Sequence, residues 1–365
     1  MRVPELDERL GMLTYLTEGG GIGGRIKEKL SDFIVDEVLM GKRASRVLLG
    51  LEDFPSEGPY HYLVAAKFTK MGTRELASLI SRELGGRVRY AGLKDARAMT
   101  FQFFSLEGRF RLREVRNGVW IRPVGRLPEP LSKGRNDGNH FTVVIRGAES
   151  TPSITASITG RFPNFFSYQR FGVRPPFNHD IGKALLLRDL RSATSMMAEQ
   201  GYETQGRSLR QLASEVGVEM LRFYVHSYQS YLFNLLLSKR LMEGLDPRKG
   251  DLVIKENGEV ALYPEDGELV LPVPGAYTRV RGWTSEALRD ILREEGVSLD
   301  LFLFRELPEI SALGDLRAAL ARAESLTLGR GSNVVLSFFL GRGVYATSFL
   351  REIIKPKDPI AQGFH

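Results

Sequence analysis

Lys94 and Asp95 are the residues best placed to do chemistry in this chain, because they follow Gly92 at the end of a predicted strand. Glycine admits backbone angles that other residues avoid, so Gly92 predicts a turn there. With Lys94 before it and Arg97 two residues after it, the Asp95 carboxylate is expected to stay ionised. An ionised carboxylate can act as a nucleophile or as a base. Taken alone, the local pattern favours the alternative of a salt bridge in a surface turn.

Basic residues are concentrated directly after this turn. The net charge of the 365-residue chain is +7, from 51 Lys and Arg against 44 Asp and Glu, and positions 96 to 136 hold nine basic residues against three glutamates. Such a tract predicts a polyanionic partner, with nucleic acid as the first choice, and a solvated surface without a partner is the alternative. The nine are Arg97, Arg109, Arg111, Arg113, Arg116, Arg122, Arg126, Lys133 and Arg135.

Composition and motifs exclude several kinds of catalysis. The chain has no cysteine, which rules out disulfides, thiolate nucleophiles and zinc–thiolate sites. Its five histidines are not spaced like metal ligands, and neither a P-loop nor a G-x-S-x-G motif occurs. No apolar run is as long as the roughly 18 residues that a membrane span needs. We therefore expect a cytoplasmic protein that uses no metal and no cofactor, with an aspartate as the strongest catalytic candidate.

Strands are predicted to position the candidate turn. Alternation of apolar residues predicts a half-buried strand at 61–68, and a single helix is predicted at 73–84, with Thr73 as its cap and a glycine pair at its end. Positions 1–17 are expected to form a loose arm and 39–59 a loop. Strands with few helices between them favour antiparallel neighbours and an α+β fold. The predicted strands are 33–38, 61–68, 87–91, 101–105, 119–124 and 141–145.

The pattern changes from strands to helices after a dense aromatic segment at 161–172, and the length of the chain allows two domains. Phe162 is therefore a candidate domain boundary. An apolar stripe at 226–242 is interpreted as core. A strand at 334–340, a helix at 345–354 and a polar tail at 355–365 are predicted to complete the chain. The predicted helices before them are 181–190, 208–216, 226–242 and 286–293.

A series of motifs, spread in order from about residue 20 to residue 352, resembles the TruD family of tRNA pseudouridine synthases. The sequence YAGLKD at 90–95, followed by AMT at 98–100, resembles the family signature. One departure is Asn136-Asp137, since the family usually has small or basic residues before its G-N-x-F motif. The other matches are Lys27 with DFIVDE at 32–37, GNHF at 138–141, PNFF at 163–166 with QRFG at 169–172, YQSYLFN at 228–234, LPVPG at 271–275, and GVYATSFLRE at 343–352.

The resemblance implies a pseudouridine synthase catalytic fold, with a mixed, mainly antiparallel sheet and flanking helices, into which a family-specific α/β domain is inserted. On this basis we expect residues 1–162 to form the first part of the catalytic domain. Residues 163–303 would form the inserted domain, and residues 304–365 would return to the catalytic sheet.

The resemblance also implies a reaction: the isomerisation of a specific uridine in tRNA, with position 13 as the first expectation, to pseudouridine. Asp95 would be the catalytic carboxylate, which either attacks the nucleoside or assists cleavage and takes a sugar proton. Lys27 would pair with Asp95, Tyr345 would stack on the flipped base, and Phe141 would wall the pocket. The implied substrate-binding residues are Lys27, Phe33, Lys94, Asn139, Phe141 and Tyr345.

We expect a monomer that holds tRNA partly through its basic tract, with the backbone contacts made by Arg97, Arg111, Arg113 and Arg116. Some alternatives stay open from the sequence. Phe141 and Tyr345 are also compatible with roles in the core, and Lys27 with an exposed surface. For the whole protein, the alternatives are a non-catalytic RNA-binding module, an RNA-directed glycosidase, and a pseudouridine synthase that acts on another RNA site.

Overall fold

The computed structural model describes residues 2–116, 118–149, 160–175, 177–330 and 333–365. Its sixteen described strands are β1 (Phe33–Leu39), β2 (Lys42–Arg43), β3 (Tyr60–Lys67), β4 (Gly85–Arg89), β5 (Met99–Phe110), β6 (Val115–Arg116), β7 (Val119–Leu127), β8 (Gly138–Ile145), β9 (Arg161–Pro163), β10 (Leu252–Ile254), β11 (Val260–Leu262), β12 (Glu268–Val273), β13 (Asp315–Ala318), β14 (Leu320–Arg322), β15 (Glu324–Arg330) and β16 (Val334–Gly341). Its described helices are α1 (Glu5–Arg9), α2 (Ala44–Leu48), α3 (Thr73–Leu84), α4 (Tyr168–Phe171), α5 (Asn178–Leu186), α6 (Leu190–Glu199), α7 (Leu209–Val216), α8 (Val218–Glu243), α9 (Gly282–Glu295) and α10 (Ala346–Ile354).

Ten strands form the large sheet on which the candidate turn lies, in the order β15-β16-β8-β1-β5-β3-β7-β6, with β2 paired to β1 and β4 paired to β5. β1 runs parallel to β5, and the other pairings of this sheet within the described ranges are antiparallel. Helices cover the sheet on both faces. The predicted α+β fold with a mixed, mainly antiparallel sheet is therefore confirmed.

Both faces of β3 are covered, so the expectation of a half-buried strand at 61–68 is wrong. Tyr62 packs in one cluster with the apolar residues of α2, while Leu63 packs on the other face with those of α3. The cause is α2 itself, which lies inside the stretch 39–59 that the sequence predicts to be a loop. Asp36 of β1 fixes the start of α2, because its Oδ1 accepts the Ser45 N–H at 2.8 Å.

Helix α3 forms at the predicted residues, but Gly72 takes the position that precedes it, and not Thr73. Gly85 ends the helix with a φ of 82°, a left-handed value that favours glycine. The chain then enters β4 directly, two residues earlier than the predicted strand at 87–91. Helix and strand together carry the chain to the Asp95 turn.

The second half of the chain is helical, as predicted, although α5 and α8 each begin earlier than expected. Tyr228 on α8 is fully buried, in agreement with the interpretation of the stripe as core. A separate four-stranded sheet has the order β11-β10-β12-β13, and β14 pairs with β9. Because β13 pairs with β12, this sheet includes a strand from beyond residue 303.

The two ends of the chain are packed into the fold, so the predicted loose arm at 1–17 and polar tail at 355–365 are wrong. Asp7, in α1, forms a buried ion pair with Arg351 of α10, with 2.5 Å between Oδ2 and Nε. Phe364 is fully buried and lies edge-on to Tyr168 at 5.6 Å. Local sequence periodicity is blind to such contacts, which join residues more than 150 positions apart. No helix in the described ranges has the length and apolar character to cross a bilayer.

Candidate active site

The Asp95 turn lies between β4 and β5, and a buried lysine holds it through hydrogen bonds to its backbone. Lys67, the last residue of β3, is 1% exposed. Its Nζ donates to the carbonyl oxygens of Met71 (2.5 Å), Asp95 (2.8 Å) and Ala96 (3.0 Å). Burial lowers the pKa of Lys67 to about 8. Sequence analysis missed this residue, and its only signal was a lysine at the end of an otherwise apolar strand.

Two further contacts fix the start of the turn. The Gln102 side chain, buried on β5, donates from Nε2 to the Gly92 carbonyl at 2.7 Å. The Thr73 hydroxyl, predicted to cap α3, instead accepts the backbone N–H of Lys94 at 2.8 Å. Strands β3 and β5 and the first turn of α3 therefore all hold the loop that carries Asp95. Such support fixes a carboxylate in one geometry.

Asp95 forms an ion pair with Lys27, and the Asp95 Oδ2 accepts a hydrogen bond from Lys27 Nζ. The two side chains are 16% and 1% exposed, and Oδ1 accepts the Arg97 backbone N–H at 2.8 Å. Burial acts to raise the pKa of Asp95, but the charge and hydrogen bond of Lys27 and the Arg97 N–H outweigh it, so the pKa lies below the ordinary aspartate value. The site thus presents an ionised, partly accessible carboxylate.

Lys27 is itself held in an unusual conformation. Its φ of 58° is left-handed, which costs a residue other than glycine about 1–2 kcal/mol. Its Nζ lies 4.8 Å from the centre of the Phe33 ring and also donates to the His365 carbonyl at 3.0 Å. Backbone strain of this kind persists only where the surroundings fix it, and it is common at active sites.

The C-terminal segment packs beside this ion pair, which no sequence pattern indicated. The Gln362 carbonyl accepts the Ile26 N–H at 3.0 Å, and Gly363 follows with a φ of 89°. Burial, followed by the positive charges of Arg97 and Lys27, lowers the pKa of His365. A neutral imidazole therefore stands near Asp95 at physiological pH.

Lys94, which was predicted to bind substrate, is occupied elsewhere. Its Nζ lies 2.6 Å from Glu37 Oε1 on β1, and the two side chains are 5% and 0% exposed. Glu37 Oε2 also accepts the Phe103 N–H at 2.9 Å. With its side chain 5% exposed and its ammonium paired with Glu37, Lys94 presents little surface to a substrate. The geometry thus makes Lys94 a tie between β1 and the turn.

The predicted aromatic residues of the pocket are part of a connected stack. Phe33 meets Phe141 edge-on at 6.0 Å, and Phe141 stacks on Phe338 at 5.4 Å. Phe33 and Phe141 are 2% and 6% exposed, so both lie in the core behind Lys27. Tyr345, directly before α10, is half-buried and lies edge-on to Phe166 at 6.1 Å. Of these rings, Tyr345 has the most accessible surface.

Asn139 lies on β8, opposite Glu37 of β1 and Leu340 of β16. Its side-chain Oδ1 is buried, and it accepts no hydrogen bond from any part of the chain that the structure describes. A buried acceptor without a donor costs about 1–3 kcal/mol, so this atom is suited to receive a donor from a ligand.

The predicted backbone-binding arginines fall into two groups at opposite ends of β5. Arg97 precedes β5 beside Asp95, whereas Arg111, Arg113 and Arg116, here called the edge arginines, follow it. The twelve residues of β5 span about 35 Å at the usual rise of a strand. Arg113 pairs with Glu83 at 2.8 Å and Arg116 with Glu114 at 2.6 Å, both on exposed surface. The structure therefore places one predicted arginine at the site and three far from it.

Known proteins of one family are similar to this chain over nearly its whole length. A sequence model of the family described as tRNA pseudouridine synthase D (TruD) matches residues 9–218 and 200–353. The chain is 34% identical to a probable tRNA pseudouridine synthase D of Pyrobaculum neutrophilum, over the full length of both proteins. It is 30% identical to that of Pyrococcus furiosus, which covers 96% of this chain and 100% of the relative.

Among solved structures, the putative tRNA pseudouridine synthase D of Methanosarcina mazei superposes with a TM-score of 0.70 at 25% identity, covering 97% of this chain and 99% of that one. The chain belongs to the TruD family of tRNA pseudouridine synthases. The predicted class of enzyme, an isomerase that converts uridine to pseudouridine, is therefore confirmed at the level of the family.

Proposed function

We propose that Asp95 is the catalytic carboxylate with which this chain isomerises a specific uridine of tRNA, at position 13 in the first instance. The observation that carries the proposal is the ionised, 16% exposed Asp95 side chain, paired with the buried Lys27. A carboxylate held ionised in a rigid turn is suited to act as a nucleophile or as a base. Position 13 rests on the resemblance alone.

The reaction breaks the N1–C1′ bond of uridine, turns the base, and forms a C5–C1′ bond, after which the proton on C5 leaves to solvent and N1 takes up a proton. It needs neither a redox partner nor external energy, and we propose that the chain works without metal or cofactor. Asp95 either attacks the nucleoside or takes a sugar proton as the glycosidic bond opens. Lys27 keeps Asp95 ionised before the reaction.

The target base must leave its stack before it can react, at a cost of a few kcal/mol. We propose that Tyr345 offsets part of this cost by stacking on the base, which is worth about 1–3 kcal/mol. Asn139 Oδ1, the buried acceptor without a donor, would receive the N3–H of uracil. Phe33 and Phe141 would support the pocket from the core and not touch the base directly.

Lys94 is proposed to hold the catalytic turn through Glu37, in place of the substrate contact that the resemblance implied. Arg97 would contact an RNA phosphate close to Asp95. The edge arginines would contact the RNA at the other end of β5, a strand that spans about 35 Å. The chain is proposed to act as a monomer in the cytoplasm.

The division into catalytic residues 1–162 and 304–365 around an inserted domain at 163–303 also remains a proposal. The pairing of β12 with β13 supports an insert whose second boundary lies later than residue 303.

A direct test is to map pseudouridine in cellular RNA with and without the protein, and then to treat the affected RNA, made by transcription, with the purified chain. We expect pseudouridine at one position, formed without free uracil. Binding without any conversion would instead indicate a non-catalytic RNA-binding module. Release of free uracil would indicate a glycosidase, and conversion at a different position would correct only the choice of site.

A further inference from the structure

A cavity of about 350 Å³ lies between α8 and the segment from Ser311 to Arg317. It adjoins the neighbourhood of Tyr345 without including it. Phe166 lines the cavity and meets Tyr345 edge-on at 6.1 Å. Arg317 also lines it and donates to the carbonyl of Gly343 at 3.0 Å, so the cavity borders the segment on which Tyr345 stands.

Two arginines, Arg170 and Arg317, meet at one aromatic ring in this cavity. The guanidinium carbons of Arg317 and Arg170 lie 4.3 Å and 5.5 Å from the centre of the Phe166 ring. Arg317 donates to neutral oxygens, namely those of Asn164 and Gly343. Burial, opposed by the nearby Tyr345 and reinforced by the charge of Arg170, lowers the pKa of Arg317 to about 10, so it stays charged at neutral pH.

Arg170 has no carboxylate partner within the described ranges, and its Nε is buried without a hydrogen bond there. Its guanidinium contacts the faces of Phe166 and Phe223, each at 5.5 Å. Asp315 also lines the cavity, and its charge acts to raise the pKa of Arg317, but it forms no ion pair with either arginine among the described residues. Two like charges in a shared low-dielectric site repel each other unless an anion lies between them.

Apart from the Asp315 carboxylate, the polar side chains of the remaining walls are uncharged, and they alternate with apolar residues such as Leu313 and Leu316. Burial, followed by the charges of Arg170 and Arg222, lowers the pKa of His226 to about 4, so its imidazole is neutral. Gln229 and Ser230 complete this side of the cavity. The site therefore combines two guanidinium groups that form no ion pair among the described residues with neutral hydrogen-bonding groups and a single carboxylate, that of Asp315. Its positive charges outnumber its negative one, which suits a phosphate because the planar guanidinium fork matches phosphate oxygens.

We propose that this cavity binds a backbone phosphodiester of the RNA substrate, close to the nucleotide that enters the active site. The inference rests on the proposed function, which supplies the RNA. The volume admits a phosphate together with its sugar, at the lower end of the usual range for ligand pockets of about 300–1,000 Å³. Arg170 is the recognising residue, and Arg317 joins the phosphate site to the segment that carries Tyr345.

The test measures the binding of the full-length protein to its substrate tRNA as a function of salt, and so does not depend on turnover. Arg170→Gln removes a side chain that makes no polar contact within the described chain. We expect it to weaken binding about tenfold at low salt and to reduce the slope of log affinity against log salt by about 0.7–0.9. Arg170→Lys keeps the charge but loses the planar guanidinium fork. Its affinity for the tRNA should therefore lie between those of the wild type and Arg170→Gln.

The matched control is Arg293→Gln, since Arg293 is exposed and pairs with Asp290 outside the cavity. It should bind RNA like the wild type. The phosphate is then located with tRNAs in which one linkage near the target uridine is a neutral methylphosphonate, each compared with a parent RNA that carries the same sugar modification. At one linkage, the neutral methylphosphonate should weaken binding by the wild type about as much as Arg170→Gln does. The same linkage should not weaken binding by Arg170→Gln any further.

A wild-type salt slope in Arg170→Gln would overturn the proposal, as would neutral linkages that weaken both proteins equally at every position. If inorganic phosphate abolishes the difference in tRNA affinity between the wild type and Arg170→Gln, and no single linkage affects that difference, the cavity binds free anions and not RNA. Failure of the proposed function has a different signature, namely a wild-type protein that forms no pseudouridine.

Discussion

Replacement of Lys27 by methionine tests whether the Lys27–Asp95 pair keeps the Asp95 carboxylate, the proposed catalytic group, ionised. Methionine preserves the packing of the side chain beside Phe33 but removes the ammonium, leaving Asp95 with the Arg97 N–H and the more distant charge of Lys67. Loss of one partner of a buried pair costs about 3–5 kcal/mol. Because Asp95 is 16% exposed, we expect a loss near the lower end, about 3 kcal/mol of the free energy of unfolding.

The sign of the pH dependence follows from the lowered pKa of Asp95 in the wild type. A lowered pKa in the folded state contributes stability above the unfolded value, 3.8, which is lost as the pH falls below that value through the folded pKa. In Lys27→Met the pKa of Asp95 rises, so the acid limb of activity moves to higher pH. The free energies of unfolding of the two proteins, measured in urea, should therefore show their whole difference at pH 7. They should converge as the pH approaches and passes below 3.8.

The double variant Lys27→Met/Asp95→Asn supplies the control for this experiment. It leaves no unpaired charge, so it should recover much of the stability that the single Lys27 variant loses. Equal stability of the single and double variants, or an acid limb that stays in place in Lys27→Met, would refute the claim that Lys27 controls the ionisation of Asp95.

Two further predictions concern the surroundings of the site. Gly363→Ala should lower both stability and activity, because a Cβ there would lie 2.0 Å from the Ile26 carbonyl oxygen at a φ of +89°, while Gly20→Ala, which meets nothing within 4 Å, should behave like the wild type. A fully active Gly363→Ala would show that the C-terminal segment does not support Lys27. Replacing the three edge arginines by alanine should reduce the slope of log affinity against log salt for tRNA by about 0.7 per lost single-stranded phosphate contact. The modified position should not move. An unchanged slope would mean that these arginines serve only their exposed ion pairs, which are worth about 0–1 kcal/mol.

Sequence reasoning predicted those parts of the fold that local patterns determine. The stripe of α3 and the alternation of β8 depend on residues only a few positions apart. Helix α3 formed at the predicted residues, and β8 includes the predicted strand at 141–145 but begins three residues earlier, at Gly138. Helix α2 was missed because it has only five residues and its start is fixed by Asp36, a contact that periodicity does not report.

The site itself depends on longer-range contacts. Asp95 attracted attention through its charged neighbours, but its pairing with Lys27, 68 residues away, was expected only through the resemblance to a family. The support from Lys67 and His365 was missed because it also joins residues far apart in the sequence. Lys67 donates to backbone carbonyl oxygens of the turn, and the His365 carbonyl accepts from Lys27. Lys94 illustrates the converse case: its substrate contact remains a prediction from the resemblance, and its buried ion pair with Glu37 was not indicated by the sequence.

The central claim is that Asp95 performs the chemistry while other surfaces hold the RNA. The most direct test is Asp95→Asn, assayed by tritium release from tRNA labelled at C5 of uridine and by gel shift with the same RNA. The amide is almost isosteric and removes the negative charge, so we predict that tritium release is abolished while RNA affinity stays within several-fold of the wild type. Pseudouridine formation that survives in Asp95→Asn at a rate near that of the wild type would contradict the account.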